Sequence, residues 1–406
     1  MWGIFVIVLS LSLASSEDSG IESKLNAAQK RINKEEPPYC YTSHTNTMKK
    51  YSSGNYDSYG LADTETLVYP WCLTTRELGN KLGNYFSEVG CAEQSGLNFL
   101  TVHKNHEMTK AAFTNVVTDK GNVVNDSSNT FLSLSSKQKR AFLDALPSVI
   151  VHPNPVASRE KGRANVAKKC PCTRYCWSDA RAPWVNSTEN IGKYMRDAVR
   201  VYMSTIDTSR GTVVSKDTDM TNAKDGELLP IVPDVAIQYR CGDNIGFNYM
   251  YGLLPFWAFK ARIPADAKTI YVMSDHPTRN LQATYSGRCQ TILEALFEYL
   301  QQHFPQATVV VKRGGDIFLD VARFSLAKVL ICSASTYCVW PAFANEGVAH
   351  FPLTMLIAGA DNMKLAPDFG PRFKWIEKPL LISDLRRFRP WDTVIEWLKK
   401  DGSTGD

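Results

Sequence analysis

Apolar, β-branched runs alternate with helical patterns through the second half of the chain, from Ile231 onward. The alternation predicts strands at residues 234–239, 269–273, 308–312, 329–332 and 348–352, and helices at residues 289–303, 317–327, 336–345 and 391–399. Strands separated by helices favour an open parallel sheet with helices on both faces. In such a sheet, ligands bind beyond the carboxyl ends of the strands. The chain is therefore predicted to be an α/β protein with its ligand site at that edge.

The pattern of the first half predicts a second α/β unit. Its predicted elements are a strand at 67–74, a turn at 76–80, a helix at 81–95, a strand at 97–102, helices at 135–146 and 190–206, and a polar loop at 207–226. A chain of 406 residues exceeds the usual size of one domain. Two Rossmann-like domains that face each other across a cleft are therefore expected, at 39–230 and 231–383, followed by a C-terminal helix and tail at 384–406.

The N-terminus begins with a short apolar segment. Residues 2–14 are apolar or small, and two serines and two acidic residues follow at 15–18. The run is too short to cross a bilayer as a helix, and the pattern is typical of a secretory signal peptide, predicted at 1–16 with a polar linker at 17–38. A short type II membrane anchor is the alternative. Either one places the protein in the Golgi or endoplasmic reticulum lumen, or outside the cell, and no multi-pass membrane segment is expected.

The chain has ten cysteines, and the secretory pathway is oxidising, so disulfides are expected. The sequence does not fix their connectivity. Cys170, Cys172 and Cys176 form a C-P-C-x-x-x-C cluster that would suit zinc, but no histidine pair or further C-x-x-C lies near it, which favours disulfides. Asn125 and Asn186 begin N-x-S/T sequons and are the predicted N-glycosylation sites.

The charge balance argues against one class of partner. Lysine and arginine number 46 against 41 aspartate and glutamate residues, and no long basic block interrupts the mixture. Nucleic acid is therefore not an expected partner, whereas a local basic pocket for a small anion is compatible with this composition.

The first candidate for chemistry is Arg240, which follows the strand predicted at 234–239 and precedes Cys241, Gly242 and Asp243. Arginine presents a planar, permanently charged fork that suits diphosphate oxygens. Gly242 permits a tight turn that brings backbone close to a ligand, and Asp243 can orient that turn. The alternative is an ordinary strand end whose arginine pairs with a surface carboxylate.

The second candidate lies at the start of the helix predicted at 336–345. The apolar run that begins at Lys328 leads into Ser335 and Thr336, and the free backbone N–H groups of a helix start bind phosphate. Capping alone would also explain the two hydroxyls. Asp320, in the preceding helix, carries a carboxylate that can accept two hydrogen bonds from a guanine edge. The alternative is that Asp320 lies on a solvated face of the helix, or that its charge in the first turn is favoured by the helix dipole.

Taken in order, these segments resemble the fucosyltransferases that use GDP-fucose, including the α-1,2, α-1,6 and protein O-fucosylating groups. Their shared strand ends in H-x-R-R-G-D or a close variant, and residues 238–243 are Q-Y-R-C-G-D. Their later signature is an aspartate, a helix, an apolar strand and a Ser-Thr or Ser-Ser helix start with nearby aromatic residues. Residues 320–342 match it without a gap. The S-D pair at 274–275 and the segment E-L-G-N-K-L-G-N at 77–84 are similar to the family's S-D motif and glycine-rich turn.

The resemblance implies a metal-independent glycosyltransferase of GT-B-like fold that transfers fucose from GDP-fucose to a hydroxyl of a glycan or protein. The 231–383 domain would bind this nucleotide sugar, and the 39–230 domain the glycan or glycoprotein acceptor. No cofactor or metal is expected, and no D-x-D motif follows a predicted strand. The implied donor-binding residues are Gln238, Arg240 on the β-phosphate, Asp275, Asp320 on the guanine, Ser335, Thr336 and Tyr337. Gly79 and Asn80 would lie in the glycine turn near the sugar and the acceptor.

Inversion at the sugar carbon needs a base that takes the proton of the acceptor hydroxyl. The resemblance to protein O-fucosylating enzymes places Glu77 in this role, with Asp243 as the second candidate, while Arg240 would stabilise the leaving diphosphate. Two positions depart from the family pattern: Gln238 replaces a histidine that often contacts the base, and Cys241 replaces the second arginine. The alternative functions are transfer from another nucleotide sugar, and non-catalytic glycan binding by a protein that retains the fold.

Overall fold

The computed structural model describes the parts of the chain that build a seven-stranded sheet, a three-stranded sheet, two two-stranded sheets and the helices around them. These parts are residues 66–70, 78–102, 141–143, 145–147, 149–150, 152, 156, 165, 183–206, 211–213, 220–241, 252–274, 283–354, 368–376, 380–381 and 392–400. Several predicted features lie outside the described residues, namely the signal peptide and linker at 1–38, the cysteine cluster at 170–176, Glu77, Asn125, Gly242, Asp243 and Asp275.

The elements alternate between strand and helix in the second half, as predicted. In chain order they are β1 (Thr66–Pro70), α1 (Leu78–Ser95), β2 (Asn98–Val102), β3 (Val149–Ile150), α2 (Thr188–Ser204), β4 (Thr212–Val213), β5 (Met220–Thr221), β6 (Leu228–Leu229), β7 (Val235–Tyr239), β8 (Gly252–Leu253), α3 (Phe256–Lys260), β9 (Thr269–Ser274), α4 (Ala283–His303), β10 (Thr308–Arg313), α5 (Ile317–Leu326), β11 (Val329–Cys332), α6 (Thr336–Ala344), β12 (Val348–Pro352), β13 (Phe373–Ile376), β14 (Leu380–Leu381) and α7 (Asp392–Lys399).

Seven strands form one sheet in the order β13-β12-β11-β7-β9-β10-β5. All of them pair in parallel except β5, which pairs antiparallel with β10 at one edge. The parallel sheet predicted from the sequence is therefore confirmed. In chain order the parallel strands lie 6-5-4-1-2-3 across the sheet, which is the order of doubly wound sheets that bind dinucleotides. The order reverses between β7 and β11, and such sheets bind ligands at the carboxyl ends of the strands there.

The central strands of this sheet are buried along their whole length. Every residue of β7 (VAIQY) and β11 (VLIC) is buried, as is expected of parallel strands covered by helices on both faces. The edge strand β13 differs, because Phe373 and Ile376 are buried while Lys374 is exposed. The helices contact one another in two sets, α1, α2, α5 and α6 in one and α3, α4 and α7 in the other. This division fits one set of helices on each face of the sheet.

The N-terminal unit is a three-stranded sheet in which β1 and β2 are parallel and β3 is antiparallel to β2. Helix α1 lies between β1 and β2 in the chain, so the predicted β-α-β order is confirmed. Helix α1 also contacts α6. The Trp340 ring of α6 lies 5.2 Å from the Phe86 ring of α1 and 5.6 Å from the Trp184 ring, between centroids. The described buried side chains of both units form one core. The α/β class is shown, and two domains facing across a cleft stay a prediction.

Three local predictions differ from the structure. Helix α1 begins at Leu78 and α4 at Ala283, both earlier than predicted, because a helix can extend beyond the residues that carry the apolar period. The segment 207–226, predicted to be a loop, contributes β4 and β5, whose pairing with β6 and β10 uses backbone groups and needs no apolar pattern. Strand β13 was not predicted, since four residues of mixed burial carry only a weak period.

Candidate functional site

Arg240 and Ser333 meet where the strand order reverses. Each is the first residue after its strand, Arg240 after β7 and Ser333 after β11, and these strands are parallel neighbours. The backbone N–H of Arg240 donates a hydrogen bond to Ser333 Oγ at 2.8 Å, and Arg240 is partly exposed. The structure thus places Arg240, the residue predicted to bind the diphosphate, at the carboxyl edge of the sheet, beside the segment that leads into α6.

Gln238 lies one residue inside this edge and is 4% exposed. Its carbonyl accepts a hydrogen bond from the Ser333 N–H at 2.8 Å, and its side-chain Oε1 lies 2.6 Å from Ser333 Oγ. The sequence assigned this side chain to the nucleotide, but its oxygen already accepts a hydrogen bond from within the protein. A direct contact of Gln238 with the donor stays a prediction.

Ser335 is the N-cap residue of α6. Its side chain accepts a hydrogen bond from the backbone N–H of Tyr337 at 3.3 Å, and both Ser335 and Thr336 are buried. The hydroxyl of Tyr337 donates a hydrogen bond to the carbonyl of Ile317 in α5. Capping, one of the two explanations offered by the sequence, therefore occurs. Because α6 follows β11, the positive end of its dipole lies at the carboxyl edge near Arg240, where it favours an anion.

Gly79 packs against this helix start. A Cβ atom on Gly79 would lie 2.5 Å from the backbone nitrogen of Tyr337, so only glycine fits this position without displacing backbone. The Gly79 carbonyl accepts a 2.7 Å hydrogen bond from Trp340 Nε1. The predicted turn at 76–80 is wrong for Gly79 and Asn80, which belong to the first turn of α1. Gly79 permits close packing of the N-termini of α1 and α6. The glycine-rich segment at 77–84 therefore contacts the Ser-Thr helix start at 335–336.

Two disulfides flank the same point. Cys241, directly after Arg240, bonds to Cys289 of α4, and Cys332, the last residue of β11, bonds to Cys338 of α6. Position 241 is thus crosslinked, whereas the family whose motifs the sequence resembles has a second arginine there. The crosslinks fit a protein of an oxidising compartment, as the leader and cysteine count predict. Within the described part of the chain, every helix is too short or too polar to cross a membrane.

Asp320 lies in α5 and is 8% exposed, so protein groups surround it. It accepts a hydrogen bond from Arg323 Nη1 at 3.3 Å, and Arg323 Nε donates to the carbonyl of Ile231 at 3.0 Å. Burial raises the pKa of the Asp320 carboxyl to about 6, a rise that Arg323 and Lys312 oppose and Asp316 reinforces. A guanine would have to share this carboxylate with Arg323, and the predicted guanine contact stays a prediction.

The Asp320 carboxyl makes the stability of the protein depend on pH. Its pKa of about 6 in the folded chain exceeds the ordinary value of 3.8, so the folded state binds more protons between these values and loses stability as pH rises through them. Asp320→Asn removes the ionisation, and we expect wild-type stability to fall relative to this variant as pH rises through that interval. Urea unfolding of both proteins at a series of pH values measures the difference. Parallel pH profiles would contradict the expectation.

Ser333 is the residue of this site that the sequence analysis missed. Its signal was available, because it is the first polar residue after the apolar strand predicted at 329–332. The sequence does not reveal that this strand lies beside β7, and only that neighbourhood brings the Ser333 hydroxyl to Arg240.

Two other sequence predictions concern accessibility and metals. Asn186 is exposed on the 3-10 helix Pro183–Ser187, so an oligosaccharyltransferase could reach it, although glycosylation there stays a prediction. The described residues contain no group of three or more His, Cys, Asp or Glu side chains arranged to hold a metal ion. Metal-independent transfer stays a prediction.

Comparisons with the models of known protein families, with curated proteins and with solved structures find no match.

Proposed function

We propose that this protein is an inverting glycosyltransferase that moves fucose from GDP-fucose to a hydroxyl of a glycan or protein. The observation that carries the proposal is the hydrogen bond from the Arg240 N–H to Ser333 Oγ at the reversal of strand order. It joins two motif segments that are far apart in the sequence at the edge where doubly wound sheets bind nucleotides. A chance resemblance of short motifs gives no reason for the segments to meet there.

The charges at this edge suit a diphosphate. Arg240 supplies a guanidinium that can bind two phosphate oxygens at once. The N-termini of α1 and α6 meet at Gly79 and Tyr337, and the dipole of each helix adds partial positive charge there. These groups compensate in part for the arginine that the family has at position 241. They support stabilisation of the negative charge that develops on the departing diphosphate.

The transfer itself is a single displacement. The acceptor oxygen forms a bond to the anomeric carbon of fucose as the bond from that carbon to the β-phosphate oxygen breaks, and GDP leaves with the electron pair. The acceptor proton passes to a carboxylate, for which Glu77 is the first candidate and Asp243 the second. Glu77 directly precedes α1, whose first turn packs on the start of α6, which supports its assignment to the same site.

The proposal includes the finer architecture. Two domains would face each other across a cleft in a GT-B-like arrangement, with the donor held by the seven-stranded sheet and the acceptor held by the N-terminal unit. The protein would act in the Golgi or endoplasmic reticulum lumen, or after secretion. The leader, the sequons and the two disulfides support this location.

One observation favours a second candidate function. The disulfide of Cys241 leaves the site with a single arginine at the strand end, which would weaken binding of the diphosphate. A non-catalytic protein that binds a nucleotide sugar or a glycan through the retained fold needs less charge there than an enzyme does. Transfer from a different nucleotide sugar is the third function to be distinguished.

Release of GDP distinguishes these functions. The purified protein is incubated with GDP-fucose and a panel of glycans and glycoproteins, and free GDP is measured with and without each acceptor. We expect GDP release that depends on one class of acceptor and equals the fucose transferred. A protein that binds GDP-fucose yet releases no GDP with any acceptor would support the non-catalytic function instead.

A further inference from the structure

We propose that Ser333 is a positioning residue that fixes the backbone of Arg240 for phosphate binding, and that Gln238 holds the Ser333 hydroxyl in place. The inference rests on the proposed function in one respect, the identity of the ligand that Arg240 binds. The positioning role itself depends only on the geometry of the strand ends.

The first observation is that a side-chain oxygen replaces a backbone oxygen as acceptor in the hydrogen-bond ladder between β7 and β11. Parallel strands β7 and β11 pair from Val329 opposite Val235 to Cys332 opposite Gln238, and the Ser333 N–H continues the pattern by donating to the Gln238 carbonyl. The next bond of a regular parallel ladder would run from the Arg240 N–H to the Ser333 carbonyl. It runs to the Ser333 hydroxyl instead, at 2.8 Å. The side chain thus extends the pairing by one residue where the backbone turns into α6.

The second observation fixes the direction of each hydrogen bond. The backbone N–H of Arg240 can only donate, so Ser333 Oγ accepts there. The same hydroxyl lies 2.6 Å from Gln238 Oε1, which can only accept, so its proton points to Gln238. Ser333 and Gln238 are 2% and 4% exposed, which excludes water as a ready substitute partner. The chain of bonds has one arrangement, and no member of it changes charge with pH.

The third observation is that a disulfide lies directly beside Ser333 and another directly beside Arg240. Cys332 directly precedes Ser333 and bonds to Cys338 of α6, while Cys241 directly follows Arg240 and bonds to Cys289 of α4. The disulfides restrict where the two segments can go but do not orient the Arg240 peptide. The Ser333 hydroxyl supplies that orientation, because it is the acceptor of the Arg240 N–H.

The test compares Ser333→Ala with Ser325→Ala in the full-length protein. Ser325 is a buried serine of α5 whose hydroxyl has no hydrogen-bond partner among the described residues, so its loss removes a similar group without breaking a bond seen there. Hydrogen exchange of the peptide covering residues 235–241 reports on the Arg240 amide, and calorimetry gives the Kd for GDP. We expect Ser333→Ala to raise the hydrogen-exchange rate of the Arg240 amide roughly tenfold and to raise the Kd for GDP roughly tenfold. Ser325→Ala should change neither, and unchanged exchange at Arg240 in Ser333→Ala would overturn the proposal.

A double-mutant cycle separates positioning from a general loss of structure. If Ser333 acts through Arg240, then Ser333→Ala should cost no further GDP affinity in an Arg240→Ala background, whereas additive losses would overturn the proposal. Gln238→Met, which removes the acceptor but keeps a similar volume, should reproduce the Ser333→Ala effect in reduced form and serves if Ser333→Ala does not fold. A wild-type protein that binds no GDP would refute the proposed function, and exchange at Arg240 alone would then decide the role of Ser333.

Discussion

Replacement of Arg240 with alanine is expected to lower the rate of sugar transfer by on the order of 10²-fold or more and to weaken GDP binding. Among the described residues, Arg240 is the permanently charged residue that directly follows β7, and position 241 beside it is occupied by a disulfide. Its loss leaves the developing diphosphate charge to the helix N-termini alone. Calorimetric titration with GDP and initial rates of GDP release measure the two effects.

Two control variants sharpen this prediction. Arg240→Lys keeps the charge but loses the fork, so an intermediate loss is expected. Arg372→Ala removes an exposed arginine directly before β13, at the opposite end of a parallel strand, and should leave GDP binding unchanged. Equal losses in Arg240→Ala and Arg372→Ala would show that total charge matters, and no loss in either would contradict the assigned site.

Gly79→Ala is expected to destabilise the protein by about 3 kcal/mol. The added methyl would lie 2.5 Å from the backbone nitrogen of Tyr337 and 2.7 Å from its Cα, and backbone cannot yield as a flexible side chain can. Relief requires α1 to move away from α6, which weakens the 2.7 Å hydrogen bond from Trp340 to the Gly79 carbonyl. Urea unfolding measures the loss, and calorimetry should show weaker GDP binding because the two helix N-termini separate.

Gly287→Ala is the matched control. Gly287 is an exposed helical glycine of α4, and a Cβ atom there would have no neighbour within 4 Å. Alanine should stabilise the protein by about 0.5 to 1 kcal/mol, because it has the better helix propensity. If both substitutions changed stability by the same amount with the same sign, the close packing of Gly79 on α6 would be refuted.

The sequence predicts the large sheet well, for a physical reason. Strands such as 329–332 are buried on both faces and therefore appear as continuous apolar runs, and the helices between them keep a regular spacing of three and four residues. Strand order is a different matter, because it depends on which strands pair across the sheet. The neighbourhood of β7 and β11, which defines the site, is visible only in the structure.

The site residues divide in the same way. Arg240 and Ser335 were found because each follows a predicted strand at a position with specific chemistry, a charged fork or a helix cap. The sequence predicts that Gly79 belongs to the site, but the turn predicted there is wrong, since glycine occurs in turns and in close helix contacts alike. In the sequence, Cys241 indicates only that an arginine of the family pattern is missing. The structure shows that Cys241 forms a disulfide with Cys289, a partner 48 residues away that no local pattern indicates.

The most direct test of the account is a calorimetric titration of the wild-type protein and Arg240→Ala with GDP, GDP-fucose and UDP sugars. The account predicts saturable one-to-one binding of GDP and GDP-fucose to the wild type, weaker binding of UDP sugars, and a loss of the GDP signal in Arg240→Ala. Tighter binding of UDP sugars than of GDP, or GDP binding that survives in Arg240→Ala, would contradict it.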